Sequence, residues 1–108
     1  MVDLWKLRKA NIARDAEWNP DKKITPLFRG VELAGEVGEA LNIIKKLERE
    51  RMGIGGSRAS VGDLADELAD VLICLDLLAM GYGINLASAV RRKFNWTSEE
   101  RGLSTRLD

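Results

Sequence analysis

Ten residues carry the densest chemistry in the sequence: Glu32-Leu33-Ala34-Gly35-Glu36-Val37-Gly38-Glu39-Ala40-Leu41. Their three carboxylates stand at i, i+4 and i+7, which at about 100° per residue is one face of a helix. Leu33, Val37 and Leu41 form a separate apolar stripe. The stretch has an echo in Asp63-Leu64-Ala65-Asp66-Glu67-Leu68-Ala69-Asp70-Val71-Leu72. Aligned without a gap, acid meets acid at 32/63, 36/67 and 39/70, and leucine meets leucine at 33/64 and 41/72. Like charges on one helix face repel by a few tenths of a kcal/mol per pair, about 0.2–0.5. Six of them on two neighbouring helices imply a compensating cation. Glu36-x-x-Glu39 and Glu67-x-x-Asp70 offer four oxygen donors with neither nitrogen nor sulfur. That set suits Mg²⁺, with Mn²⁺ as substitute, rather than zinc or copper. Glu32 and Asp63, one turn earlier, are candidates for outer ligands, a proton acceptor, or partners of basic side chains.

Two helices must position these acids. Thr25 can cap and Pro26 suits the first helical position, so a helix is predicted from Pro26 to about Arg51. Gly30, Gly35 and Gly38 inside it mark either close helix packing or room for a ligand. Met52 to Ala59, with Gly53, Gly55, Gly56 and Ser57, reads as a flexible connection and not as a P-loop. Ser60 and Asp63 resemble a capping box with Asp in place of Glu. The following helix is expected over about 61–80, apolar on most sides through Leu64, Leu68, Val71, Leu72, Leu75, Leu78 and Ala79. A connection of roughly ten residues lets these two helices lie antiparallel, so that the acidic faces meet at similar height.

The rest of the chain is read around that pair. A first helix is expected over about 3–18, with Leu4, Leu7, Trp5 and Ile12 on its apolar side and Arg8, Lys9 and Arg14 elsewhere; Asn19-Pro20-Asp21 ends it. Asn85 can cap a short fourth helix over about 86–94, leaving 95–108 as a polar tail with Leu103 and Leu107 as docking points. No segment alternates with period two, so the expected fold is an all-α antiparallel bundle in one domain spanning 1–108.

Composition excludes several chemistries. There is no histidine, which rules out His-ligated zinc and a histidine general base. The 17 basic and 17 acidic residues cancel, which gives no argument for a nucleic-acid polymer or a membrane as partner. The lone Cys74 cannot form an internal disulfide and sits in an apolar run, as a buried small hydrophobe would. That, and an N-terminus without the apolar run of a signal peptide, point to the cytoplasm.

Glu36-Val37-Gly38-Glu39 followed by Glu67-Leu68-Ala69-Asp70, and then Val90-Arg91-Arg92-Lys93-Phe94-Asn95, resemble the ExxE…ExxD signature and Lys-x-Asn element of the MazG-like all-α nucleoside triphosphate pyrophosphohydrolases. The likeness is to the short single-domain type and covers about residues 24–107. It implies Mg²⁺-dependent hydrolysis of (deoxy)nucleoside triphosphates to monophosphate and pyrophosphate, in a role such as house-cleaning of nucleotide pools. It implies Glu36, Glu39, Glu67 and Asp70 as metal ligands, and Lys93 and Asn95 as nucleotide contacts. It also implies a homodimer or homotetramer that completes a larger bundle, with sites between subunits. Charge alone adds Arg92 and Lys46 as phosphate contacts. Glu36 or Glu39, with Glu32 as a third choice, would activate water. Trp18 and Phe28, and next Trp96, are candidates for an apolar wall against the base, although plain core packing is the better reading of each. Two other readings compete: a non-catalytic, metal-stabilised helical interaction module, and a related pyrophosphatase acting on phosphoribosyl-ATP.

Overall fold

A computed structural model describes residues 1–108 and contains four helices and no strand: α1 (Leu4–Trp18), α2 (Pro26–Arg51), α3 (Val61–Gly81) and α4 (Leu86–Glu100). Each begins at a short polar side chain that accepts from a backbone N–H three residues on, the arrangement that satisfies an otherwise orphaned donor. Asp3 accepts from Lys6, Thr25 from Phe28, and Asn85 from Ser88. At α3 the capping box is complete: Ser60 Oγ accepts from the Asp63 amide at 3.0 Å, and Asp63 accepts from the Ser60 amide at 2.8 Å.

The second and third helices run antiparallel. Pro26 lies against Gly81, Glu32 against Cys74, and Lys46 near Asp63, so ascending positions on one helix meet descending positions on the other. Gly81 is required by this packing, because a Cβ there would stand 2.9 Å from Pro26 Cγ. Gly30, Gly35 and Gly38 are different. Nothing in the chain comes within 4 Å of a Cβ built at any of them, so close packing inside one chain does not explain them.

The first helix docks on α3 through a buried polar cluster. Asp76 is fully enclosed. It accepts from Arg8 Nε at 3.2 Å and Asn11 Nδ2 at 2.9 Å and pairs with Arg8 Nη2 at 3.0 Å. Arg8 also donates to the Ile84 carbonyl at 2.7 Å. The expectation that Arg8 lies away from the packed side is therefore corrected: the acid embedded in the apolar run of α3 draws it inward. Trp5 and Ile12 of the same helix remain exposed.

The fourth helix extends to Glu100, six residues past the expected end at 94, so the polar tail is 101–108. Asn95 does not terminate it, because that side chain is satisfied by the returning tail: its Nδ2 donates to Leu107 O at 2.9 Å and its Oδ1 accepts from Leu107 N at 2.7 Å. The helix leaves α3 at 104° and does not complete a bundle around α2 and α3.

The result is an open assembly of helices. The radius of gyration is 17.2 Å, against about 13 Å for a compact chain of this length. Only Ala40, Cys74, Leu77 and Ala79 form a buried apolar core. Val37, Leu41 and Ile44 of α2 and Leu68, Leu72 and Leu75 of α3 stay partly in solvent, so the broad burial expected for α3 is not achieved within one chain. No single helix is long and apolar enough to cross a membrane.

Candidate metal centre

The antiparallel pairing brings the acidic faces of α2 and α3 together. Carboxylate oxygens of Glu36, Glu67 and Asp70 lie within 4.8 Å of one another, the spacing of ligands around one cation. Glu39 lies beside this triad rather than in it, close enough for its charge to act on both Glu36 and Glu67. One oxygen each of Glu36 and Glu67 (Oε2 in both) is occluded from solvent and has no hydrogen-bond donor. Buried carboxylate oxygens are ordinarily satisfied, and two without a donor in one cluster are what a cation between them would engage.

The electrostatics agree. The Glu36 carboxyl is pushed above the ordinary value of 4.5, first by desolvation and then by the charges of Glu39, Asp70 and Glu32. Glu67 is raised as well, first by desolvation, then by a side-chain hydrogen bond with Glu39 that favours the protonated form, and then by the charges of Glu39, Asp70 and Glu36. Desolvation and like charge are common to both shifts, the condition a divalent cation relieves.

The sequence left Glu32 open among three roles and read Asp63 both as an outer acid and as part of a capping box. Glu32 is held by Arg29, whose Nη1 donates to its Oε1 at 3.1 Å, and the Cys74 thiol approaches the same oxygen at 3.6 Å. The Nη2 of Arg29 donates to Asp15 on α1 at 2.9 Å. Glu32 is thus the ion-pair partner of Arg29. Asp63 caps α3, and its carboxyl is lowered chiefly by the Ser60 amide it accepts from. Its position one turn before Glu67 serves the helix end.

A cavity of about 180 Å³ adjoins the triad. The first helix contributes Arg14 and Trp18, α2 contributes Arg29, Glu32 and Glu36, and α3 contributes Asp70, Ile73, Cys74 and Leu77. Of the nucleotide contacts expected from sequence, only Trp18 lines it. Phe28 is exposed on α2, Lys46 lies near Asp63, and Arg92 is exposed on α4. Lys93 stands over the Trp96 ring at 3.9 Å, in a separate groove with Val90, Phe94 and Leu103. Asn95 is engaged by Leu107. Cys74 is buried as expected, but beside carboxylates rather than among hydrocarbons alone, and burial with Glu32 pushes its thiol up to about 11.

Two residues of the site escaped the sequence reading. Arg29 carried a usable signal, an i, i+3 spacing to Glu32. Arg14 carried another, an i, i+4 spacing to Trp18 that places its guanidinium 4.7 Å from the indole centroid. Set against models of known protein families and against characterised proteins, the chain matches none.

Proposed function

We propose that this site holds a divalent cation, Mg²⁺ or Mn²⁺, and hydrolyses nucleoside triphosphates to the monophosphate and pyrophosphate. The observation that carries the reading is the pair of orphaned oxygens, Glu36 Oε2 and Glu67 Oε2, inside a cluster of four acids on two helices. The donor set fits the ion: all oxygen, no imidazole, and the one nearby thiol held protonated by its surroundings. Glu36, Glu67 and Asp70 would be its ligands. The bound ion would neutralise phosphate oxygens, the main requirement of phosphoryl transfer. Glu39, beside the triad and more exposed than Glu36 and Glu67, would be the carboxylate to orient or deprotonate the attacking water. The likeness of the acidic motifs and the Lys93-Phe94-Asn95 block to the MazG-like enzymes points to the same chemistry.

Self-association belongs to this proposal. Lys93, Arg92 and Asn95 do not line the carboxylate cavity of their own chain, so any part they take falls at a site shared between copies. The decisive experiment is product analysis: pure protein with each of the common nucleoside and deoxynucleoside triphosphates and Mg²⁺, resolved by anion exchange. Release of monophosphate and pyrophosphate is expected, and its absence for every nucleotide overturns the reading. The exposed apolar faces of α2 and α3 favour a second reading, a metal-stabilised interaction module without catalysis. It predicts that chelation lowers the melting temperature while nucleotide adds nothing to the effect of Mg²⁺.

A further inference from the structure

Three cations come near the chemistry proposed above, and they differ in what they are free to do. Arg29 is buried, and both its terminal amines are committed, one to Asp15 and one to Glu32. Lys93 lies over Trp96 in the groove on α4, outside the carboxylate cavity. Arg14 alone lines the cavity of Glu36 and Asp70 with no acidic partner, and it makes no hydrogen bond to any protein group. Its one defined contact is the stack on Trp18. Such a stack constrains a long side chain while leaving the in-plane N–H donors unused. It also covers one face of the indole, which leaves Trp18 less surface for a base than the sequence suggested.

We propose that Arg14 is the phosphate-binding residue of the site, held by Trp18 so that its guanidinium meets the polyphosphate of a nucleotide anchored at Glu36, Glu67 and Asp70. The inference rests on the functional reading above and deepens it. The charge balance favours it: the walls of this cavity carry Glu36 and Asp70, and the only other cation, Arg29, is already neutralised. A guanidinium fork matches phosphate oxygens bidentately, a geometry that lysine cannot reproduce. The first helix, which bears none of the acidic signature, would then supply substrate affinity, and the α2–α3 pair would supply the ion.

The test uses the full chain with Mg²⁺, the best-hydrolysed nucleotide, and inorganic tripolyphosphate as competitor. Arg14→Ala is expected to raise KM about tenfold or more with a smaller effect on kcat, the size of a lost charge-assisted hydrogen bond. It should weaken inhibition by tripolyphosphate in parallel. Arg14→Lys should recover part of the loss, and Trp18→Leu should produce a smaller rise in KM, because the charge remains but is no longer held. Arg14 and Trp18 are both exposed, so all three proteins should fold, as checked by melting temperature. A parent enzyme that turns over nucleotide while Arg14→Ala keeps its KM overturns this proposal alone. So does a raised KM with unchanged tripolyphosphate inhibition, which would move Arg14 to the base. A parent that hydrolyses no nucleotide overturns the functional reading, and this proposal with it.

Discussion

Glu36 and Glu67 make the site testable without turnover, because their protonation is linked to both folding and metal binding. Each has its carboxyl raised in the folded chain above the ordinary 4.5. The folded state therefore binds more protons than the unfolded state above that pH, and the contribution of these groups to stability falls as pH rises through the window between the two values. A bound divalent cation reverses the trend, since it favours the ionised form. Melting temperature measured from pH 4 to pH 8 should show stabilisation by Mg²⁺ that is weak at the acid end and grows toward neutrality. Glu36→Gln should melt higher than the parent in EDTA, having one charge fewer in the cluster, and should lose most of its response to Mg²⁺ together with at least about a hundredfold in rate. A parent whose Mg²⁺ response is flat across this range would speak against a cation at these acids. Arg29 gives a second residue-scale expectation. Arg29→Met removes the partner of Asp15 and of Glu32, both partly buried. Breaking a buried pair from one side is costly, about 3 kcal/mol, and some of that is relieved here by solvent, so a fall in melting temperature on the order of 10 °C is expected by calorimetry.

The four helices were legible in the sequence because their starts are written in single residues. Thr25-Pro26, Ser60 with Asp63, and Asn85 each announce a helix, and each caps one in the structure. The end of α4 was not legible for the same local reason. Asn95 has the composition of a helix stop, but a contact twelve residues along the chain satisfies it. The acidic faces were legible because 3.6-residue periodicity and an ungapped echo are properties of sequence alone. The capping role that takes Asp63 out of the triad was legible too, in Ser60 three residues before it. What takes up Glu32 was not, because Arg29 reaches across from α2 to α1 and only the fold shows that it is occupied. The Asp76 cluster is the clearest case: a single acid in an apolar run looks like a defect until Arg8 and Asn11 arrive from another helix. This cluster joins α1 to α3, and its energetics can be read by double substitution. Arg8→Met alone leaves a fully buried carboxylate with one amide donor and should cost about 3 kcal/mol; Asp76→Leu with Arg8→Met should cost much less, because a buried pair replaced by hydrocarbon is often neutral. Urea denaturation of the parent, each single variant and the double variant measures the coupling, and additive losses would mean that Arg8 and Asp76 do not act as a unit.

At the scale of the whole molecule, the dominant fact is how little the chain covers itself. Its accessible surface is 7849 Å², against about 6000 Å² expected for a compact monomer of 12.0 kDa. The surplus exceeds the roughly 800 Å² per partner of a standard interface. It includes Leu41, 58% exposed, and Leu72, 43% exposed, on the two helices that carry the acids. The self-association proposed above would also offer a helix to Gly35 and Gly38, where the chain itself leaves open space. Sedimentation equilibrium should then give a mass of at least two chains, and the melting temperature should rise with protein concentration, as mass action requires of a fold completed by association. Leu41→Glu places a charge within that surface while touching no acid of the site. If the surface is an interface, this variant should dissociate or unfold at concentrations where the parent is assembled, and its response to Mg²⁺ should fall with it, because α2 and α3 lose the support that holds their acids in register. If instead Leu41→Glu stays at the parent's mass and melting temperature, the exposed leucines are not joined to a second copy, and the open form described here is the one that must carry the site by itself.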